Sequence, residues 1–331
     1  MRALLKNTTI RASVALLLAI CGICMLSACG SSSGDPQALL NDTFSSPKQI
    51  ESGNVNLSLS LGSAGSSTAE KSLAVHLTGP FENAGTGKLP RFALQLGLTA
   101  NGHALPVGAT STGSSLYVEI AGTWFSLPQR TYTALQQSYA QATKRASSTK
   151  VRSTFASLGI EPGKWLSDPA EVGTTTIDGV ETIHLTASVN VAGFLANVSK
   201  LSQAGSALGF SSAVPGSSLF TPSAIEELAK SVKVATVNVY TGKSDHMLRR
   251  LELDATVVAN AQTKAILSGL SSANVKLLLE LSDLNQPQTI AAPSKPESAS
   301  QLFPALEQLI GTIEGTTGES NPSGELEQLS K

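Results

Sequence analysis

The feature that most restricts the fold of this 331-residue chain is a two-residue alternation of apolar and polar side chains. In residues 54–61, for example, Val55, Leu57, Leu59 and Leu61 alternate with asparagine and serine. A strand with this pattern buries one face and exposes the other to water, which is typical of antiparallel sheets packed on one side. The alternation predicts strands near 54–61, 72–79, 91–99, 115–120, 181–189, 232–240, 248–258 and 274–282.

Helical spacing of apolar residues, three or four positions apart, separates the two groups of strands. Tyr132, Leu135 and Tyr139 lie on one helical face, and Phe194 and Leu195 lie on another. The spacing predicts helices near 129–146, 150–158, 190–203 and 222–230, with shorter ones near 37–44 and 302–313. Strands followed by helices and then by strands indicate an α+β fold: one curved, mainly antiparallel β-sheet, a half-barrel, with helices packed on one face.

The N-terminus has the pattern of a secretory signal. Residues 1–11 carry three bases and no acid, and residues 12–25 are uncharged and mostly apolar. The apolar run is shorter than the roughly 20 residues that a transmembrane helix needs. Small residues, Ser27 and Ala28, then precede Cys29. We therefore interpret residues 1–28 as a cleaved signal, the alternatives being an ordinary secretory signal with a chance cysteine or an uncleaved anchor.

The four residues Leu26, Ser27, Ala28 and Cys29 resemble the lipobox of bacterial lipoproteins. The resemblance implies a diacylglycerol attached to Cys29 by a thioether and cleavage just before it. It also implies the export and lipoprotein-processing machinery as partners, and a lipid-anchored position on the extracytoplasmic face of the cell membrane. All three cysteines lie within the first 29 residues, so we expect no disulfide, thiol catalyst or cysteine metal site in the mature domain.

The rest of the chain falls into three segments that differ in amino-acid composition. We expect a flexible Ser/Gly-rich tether at 29–52, one domain at 53–298, and a short helix with a disordered tail at 299–331. The chain has 23 bases and 24 acids, and three of the bases belong to the signal. With no basic run interleaved with aromatics, the sequence does not favour a nucleic-acid partner.

Several segments over roughly residues 50–298 resemble the LppX/LprG-type lipoproteins of actinobacteria, which share their fold with the lipoprotein carriers LolA and LolB. The segments are 122–127, 177–185, the hairpin 239–253, 284–287 and 290–293. This chain departs from the family in Ser/Gly/Ala-rich insertions near 203–220 and 260–273 and in a tail after 298. The resemblance implies an apolar cavity between sheet and helices that takes the acyl chains of lipids or glycolipids. The candidate lining residues are Leu57, Leu59, Leu94, Leu96, Val118, Ile120, Leu135, Phe194, Leu195 and Val198.

Catalytic and metal-binding patterns are weak. The four histidines, His76, His103, His184 and His246, are far apart in sequence, and no G-x-S-x-G or complete phosphate loop is present. We expect no enzyme, no cofactor and no metal. Two hypotheses stay open: a membrane-anchored envelope lipoprotein that binds or carries acyl chains, and a non-catalytic envelope scaffold or interaction module with a solidly packed core.

The lipobox generates a first prediction. Cys29→Ala removes the thiol of the lipobox, so acylation is lost and the protein either stays as uncleaved precursor or is released from the membrane. Fatty-acid labelling and membrane fractionation measure this. Normal membrane retention and normal gel mobility of the variant contradict it.

Overall fold

A computed structural model describes residues 34–45, 50–63, 73–85, 87–100, 103–147, 162–197, 222–266, 271–302 and 304–305. The strands are β1 Ser52–Ser63, β2 Leu73–Glu82, β3 Arg91–Ala100, β4 His103–Ser111, β5 Leu116–Ile120, β6 Thr123–Ser126, β7 Leu166–Ile177, β8 Val180–Val189, β9 Val232–Gly242, β10 Leu248–Val258, β11 Ser272–Ser282 and β12 Glu297–Ser298. The helices are α1 Pro36–Ser45, α2 Gln129–Ser147, α3 described over 191–197, α4 Pro222–Ser231 and α5 Ala261–Ile266.

Within these ranges all twelve strands form a single unclosed, curved sheet in the order β12-β6-β5-β4-β3-β2-β1-β11-β10-β9-β8-β7. Every neighbouring pair is antiparallel except β12 with β6. The pairing of β1 with β11 joins the N-terminal group of strands to the C-terminal group. The predicted α+β class with a mainly antiparallel sheet is confirmed.

The eight predicted strands are present, with ends shifted by a few residues, whereas β4, β6, β7, β12 and α5 were not predicted. The sequence did not predict β7 because this edge strand exposes most of its side chains, so its apolar and polar residues do not alternate. The alternation of β4 is interrupted by Pro106 and Gly108. The predicted helix 150–158 and the end of the predicted helix 190–203 lie outside the described residues, as does most of 302–313.

One face of the sheet is apolar because the register aligns the apolar positions of successive strands. Leu57 pairs with Leu279, which pairs with Leu251, and the row continues through Val239 to Leu185. Over β8–β10 this face is closed, and the side chain of Leu185 is 0% exposed. Burial of this kind stabilises a fold by about 25 cal/mol per Å² of apolar surface.

Helix α1 completes that core from the N-terminal side. The Asp35 carboxylate accepts the Gln37 N–H at 3.0 Å, and Pro36 occupies the first helical position, which together favour a helix start here. One face of the helix then buries Leu39, Leu40 and Phe44 against the sheet. The short helix predicted near 37–44 is confirmed, and the packed domain includes part of the segment 29–52 that we expected to be a tether.

Two polar contacts fix α1 to the end of the β9–β10 hairpin. The Thr43 and Thr241 hydroxyl oxygens lie 3.0 Å apart in a buried environment, and the His246 imidazole contacts the Asp42 carboxylate. A buried hydroxyl pair is costly unless it is hydrogen-bonded. These contacts therefore select one position of α1 on the sheet.

The packing of α1 generates a second prediction. Leu40 is 1% exposed, so Leu40→Ala removes buried apolar contacts and lowers the free energy of unfolding by about 2–5 kcal/mol. Val172, a side chain that is 59% exposed on β7, provides the matched control, because Val172→Ala changes the free energy of unfolding by about 0.5 kcal/mol or less. Denaturant unfolding measures both, and equal losses contradict the structural role of α1.

Candidate functional site

The apolar face of the sheet has two regions that differ in burial. In the described part of the chain, the fully buried apolar side chains come from α1, α2, α4, β5–β11 and the segments 162–165 and 283–296, and none comes from β1–β4. The apolar side chains of those four strands are half-buried or more exposed wherever the structure describes them. We call the central part of this region the leucine face, consisting of Leu57, Leu59, Leu77, Leu94 and Leu96.

The register explains why these leucines share one surface. Leu57 of β1 pairs with Leu77 of β2, which pairs with Leu96 of β3. Leu59 lies two positions along the same strand as Leu57 and is 37% exposed, and Leu94 lies two positions before Leu96. Because side chains alternate between faces, these positions all point to the same side of the sheet. Together they form a continuous apolar surface on that side of β1–β3.

The sequence-predicted lining residues fall into three groups. Leu57, Leu59, Leu94, Leu96, Val118 and Ile120 lie on one face of β1, β3 and β5, and Ile120 is fully buried. Leu135 and Leu195 are half-buried on α2 and α3. Phe194 packs against the closed core, with its ring 5.1 Å from that of Trp165, and Val198 lies outside the described residues. The structure therefore places the strand residues together and Phe194 with the other region.

Helix α2 is attached near one end of the leucine face by polar contacts to loops. The Tyr132 hydroxyl donates to the Gly113 carbonyl at 2.5 Å. The Gln136 side chain accepts the Leu89 N–H at 2.8 Å and donates to the Gly87 carbonyl at 2.6 Å. Further along α2, burial raises the pKa of Tyr139. The helix thus turns a partly apolar surface inward while its position is set by hydrogen bonds to backbone groups.

Trp165 belongs to the closed core. Its side chain is buried, its indole N–H donates to the Asn197 Oδ1 at 3.3 Å, and the ring packs edge-on against Phe194. Phe125 is also buried, on β6, whereas Trp124 is half-buried and pairs with Glu119. Of these three aromatics, Trp165 and Phe125 are therefore core residues.

The opposite face of the sheet carries a polar row that sequence reasoning missed. The His184 ring stacks on Tyr240 with 4.4 Å between ring centroids, and the Arg250 guanidinium lies 5.6 Å from the Tyr240 centroid. Arg250 donates to Glu280 at 2.7 Å through Nε, and Asn56 donates to the same carboxylate at 3.2 Å. Burial and the negative charge of Glu252 raise the pKa of Tyr240, and Arg250 opposes them. Each charge in the row therefore has a partner.

The row continues through β3, β4 and β5, where two side chains meet over Gly108. Gln95 Nε2 donates to Glu119 Oε2 at 2.9 Å across the intervening strand β4. A Cβ at position 108 would lie 2.6 Å from that Oε2 and 2.9 Å from that Nε2. A side chain at this position would therefore require the Glu119 and Gln95 side chains to shift. The side chains of this polar row thus contact one another, while the described apolar side chains of β1–β4 on the other face are not fully buried.

We also searched the described residues for metal-binding clusters, membrane-spanning helices and histidine sites. Over those ranges, no three His, Cys, Asp or Glu side chains are placed to hold a metal ion. None of the helices described is both long and apolar enough to cross a membrane. His76 is exposed, His184 is engaged with Asn238 at 2.9 Å, and His246 contacts Asp42. The lipobox and Cys29 lie outside the described residues.

Comparison with known proteins finds similarity in structure only. No family model matches the sequence, and no curated protein matches it. LprF from Mycobacterium bovis is 15% identical, with a TM-score of 0.40 over 80% of this chain and 99% of that chain. LppX from Mycobacterium tuberculosis is 14% identical, with a TM-score of 0.32 over 77% and 98% of the two chains. A putative outer membrane lipoprotein-sorting protein domain from Vibrio parahaemolyticus is 9% identical, with a TM-score of 0.21 over 77% and 93%.

LprF and LppX are lipoproteins of the LppX/LprG family, and LolA-like proteins are also among the structural neighbours. The expected resemblance is therefore confirmed among solved structures, at identities and TM-scores too low to carry an argument about function.

Proposed function

We propose that this protein is a cell-envelope lipoprotein that binds lipid acyl chains on the leucine face. The observation that carries the proposal is the contrast in burial on one continuous apolar face. The side chains over β8–β10 are closed by α1, whereas Leu57, Leu94 and Leu96 are only half-buried and Leu59 is 37% exposed. An apolar surface that the fold assembles in register and leaves partly uncovered is suited to an apolar ligand.

The side chains of the leucine face fit flexible alkyl chains. They are aliphatic and carry no polar atom, so water gains few hydrogen bonds there. Each methylene that leaves water contributes about 0.8 kcal/mol, so ten methylenes contribute about 8 kcal/mol. Association costs about 4–15 kcal/mol in lost freedom. A lipid with one long chain or two chains therefore gains enough from burial to bind.

The proposed anchor keeps this surface beside its source of lipid. Cys29 lies seven positions before Pro36, the first residue of α1. A fully extended segment of that length reaches about 25 Å. Since α1 is buried in the core, a diacylglycerol on Cys29 would hold the domain within about that distance of the membrane.

The closed core over β8–β10 favours the second candidate, a non-catalytic scaffold or interaction module. If regions outside the described residues fill the leucine face as completely as α1 fills the other region, no acyl chain can enter. The two candidates therefore differ in one property, which is whether an added lipid occupies the apolar face over β1–β4.

A bulky substitution on the leucine face tests the proposal. Leu96→Trp fills space beside a half-buried position, so the affinity for a fluorescent long-chain fatty acid falls by about tenfold, equivalent to about 1.4 kcal/mol. Fluorescence titration of residues 30–331 measures it, and denaturant unfolding checks that the variant is folded.

Val172→Trp is the matched control, because it adds the same indole at the exposed position on β7. It should bind the fatty acid as the unsubstituted protein does. Unchanged binding in Leu96→Trp contradicts the assignment of the leucine face. An unsubstituted protein that binds no fatty acid supports the scaffold instead.

A further inference from the structure

The two edge strands of the sheet differ in how they are paired. At one edge the short strand β12 covers β6, pairing Glu297 with Phe125 and Ser298 with Ser126. At the other edge, among the strands that the structure describes, β7 is paired with β8 alone, and α1 lies close to it. Eight of the ten residues between the buried ends Leu166 and Ile177 are exposed: Ser167, Asp168, Ala170, Glu171, Val172, Thr174, Thr175 and Thr176. A bare strand edge is a template for pairing with another chain.

The first half of β7 is protected against such pairing. Asp168 has a positive φ of 52°, and Pro169 has no N–H to donate. The pairing with β8 shifts register between Ser167 and Ala170 and again between Glu171 and Gly173. Bulges, proline and charged side chains are the devices that prevent edge-to-edge association. From Gly173 onward the register with β8 is unbroken, from the Gly173–His184 pair to the Ile177–Val180 pair.

The turn at the end of this regular part determines which backbone groups face outward. Asp178 and Gly179 form the two-residue loop, with φ values of 47° and 77°, as in the turns that close hairpins with a hydrogen-bonded pair. Ile177–Val180 is that pair, and the hydrogen-bonded and non-bonded pairs then alternate along an antiparallel ladder. Thr174 and Thr176 therefore fall in non-bonded pairs and direct their N–H and C=O groups away from β8.

The partner residue of Thr176 supports this register. Thr176 pairs with Glu181, and the Glu181 carbonyl accepts the N–H of Lys243 at 2.9 Å on the other side of β8. Glu181 thus directs its backbone groups away from β7, as a non-bonded pair requires. The outward groups of Thr174 and Thr176 lie on the solvent side of the edge, with both side chains exposed.

The charge around this edge is negative. Residues 165–197 contain Asp168, Glu171, Asp178 and Glu181 and no lysine or arginine. The Lys243 ammonium from the β9–β10 turn pairs with Glu181 at 2.6 Å. Pairing of β7 with β7 of a second copy about Thr175 would bring Glu171 of each copy to the Asp178 turn of the other, and like charges in opposed positions destabilise a ladder. Complementary charge favours a segment that carries lysine or arginine.

We propose that β7, at Thr174, Thr175 and Thr176, is a docking site at which an extended, basic peptide segment of a protein partner adds as a further strand. The outward backbone groups supply the hydrogen bonds, and the acids supply preference for basic side chains. The site lies five strands from β1 in the order of the sheet, so it is independent of the leucine face. Binding of a partner here does not require that the protein binds lipid.

The test uses the mature chain, residues 29–331 with Cys29→Ala, and three peptide probes. The basic probe is acetyl-Lys-Thr-Val-Thr-Val-Lys-amide, the acidic probe replaces both lysines with glutamate, and the third is the basic probe with methylated backbone nitrogens. We expect the basic probe to shift the NMR amide signals of Thr174 and Thr176, with an affinity that falls as salt rises. The acidic and the N-methylated probes should each bind at least about tenfold more weakly.

Thr176→Pro removes one outward N–H and leaves the pairing with β8 intact, because proline is tolerated at an edge where the N–H faces solvent. The basic probe should bind it about tenfold more weakly. Asp178→Asn keeps a residue type that tolerates positive φ and should also weaken the basic probe, which provides a second variant if Thr176→Pro does not fold. Shifts that map elsewhere, equal binding of all three probes, or self-association of the protein through β7 overturn the proposal.

Discussion

The pairing of β1 with β11 is the interaction on which the rest of the structure depends. It runs from the Asn54–Ser282 pair to the Ser63–Ala273 pair. Among the described strands it is the long ladder that joins the first group of strands to the last, the other link being the two-residue pairing of β12 with β6. Through it the apolar positions of both groups share one face, and the polar positions share the other. A slip of one residue would reverse the faces of the strands on one side of the junction. Everything that covers or occupies the apolar face therefore depends on this register.

A sheet with one apolar face must bury that face, and this chain does so unevenly. Over β8–β10, α1 closes the core with Leu39, Leu40 and Phe44. Over β1–β4 the leucines that the structure describes are half-buried, except Leu59, which is 37% exposed. The polar face is stabilised by its own contacts, including the Arg250–Glu280 ion pair and the hydrogen bond from Gln95 to Glu119 across Gly108. The unequal burial of a single face is the physical basis of the proposal that lipid binds there.

The sequence predicts those parts of the fold that periodicity determines. Eight strands and the class of the sheet follow from alternation, because a half-buried strand must place apolar residues at every second position. It does not predict β7, whose exposed Thr174, Thr175 and Thr176 face no core and so carry no alternation. Periodicity shows that Leu57 and Leu96 each lie on an apolar face. Register is what brings them together, and register between distant strands is not encoded in any local pattern.

The same limit applies to the polar row and to Phe194. Tyr240, Arg250 and Glu280 are ordinary polar positions in their own strands, and only the β9–β10 and β10–β11 registers align them. Phe194 has the helical spacing expected of a lining residue, but the nearby Trp165 ring places it in the closed core. Trp165 directly precedes β7. The sequence pattern did not predict β7, so it gave no position for Trp165 relative to the sheet.

Occupancy of the apolar face by lipid is the central claim, and native mass spectrometry of residues 30–331 purified from a lipid-containing host tests it most directly. The account predicts a folded protein that carries additional mass matching one or more acyl lipids, released as free lipid when the collision energy rises. It also predicts that Leu96→Trp carries less of that mass than Val172→Trp. A spectrum with the protein mass alone, together with an experimental structure in which the leucine face is fully packed, would contradict the account.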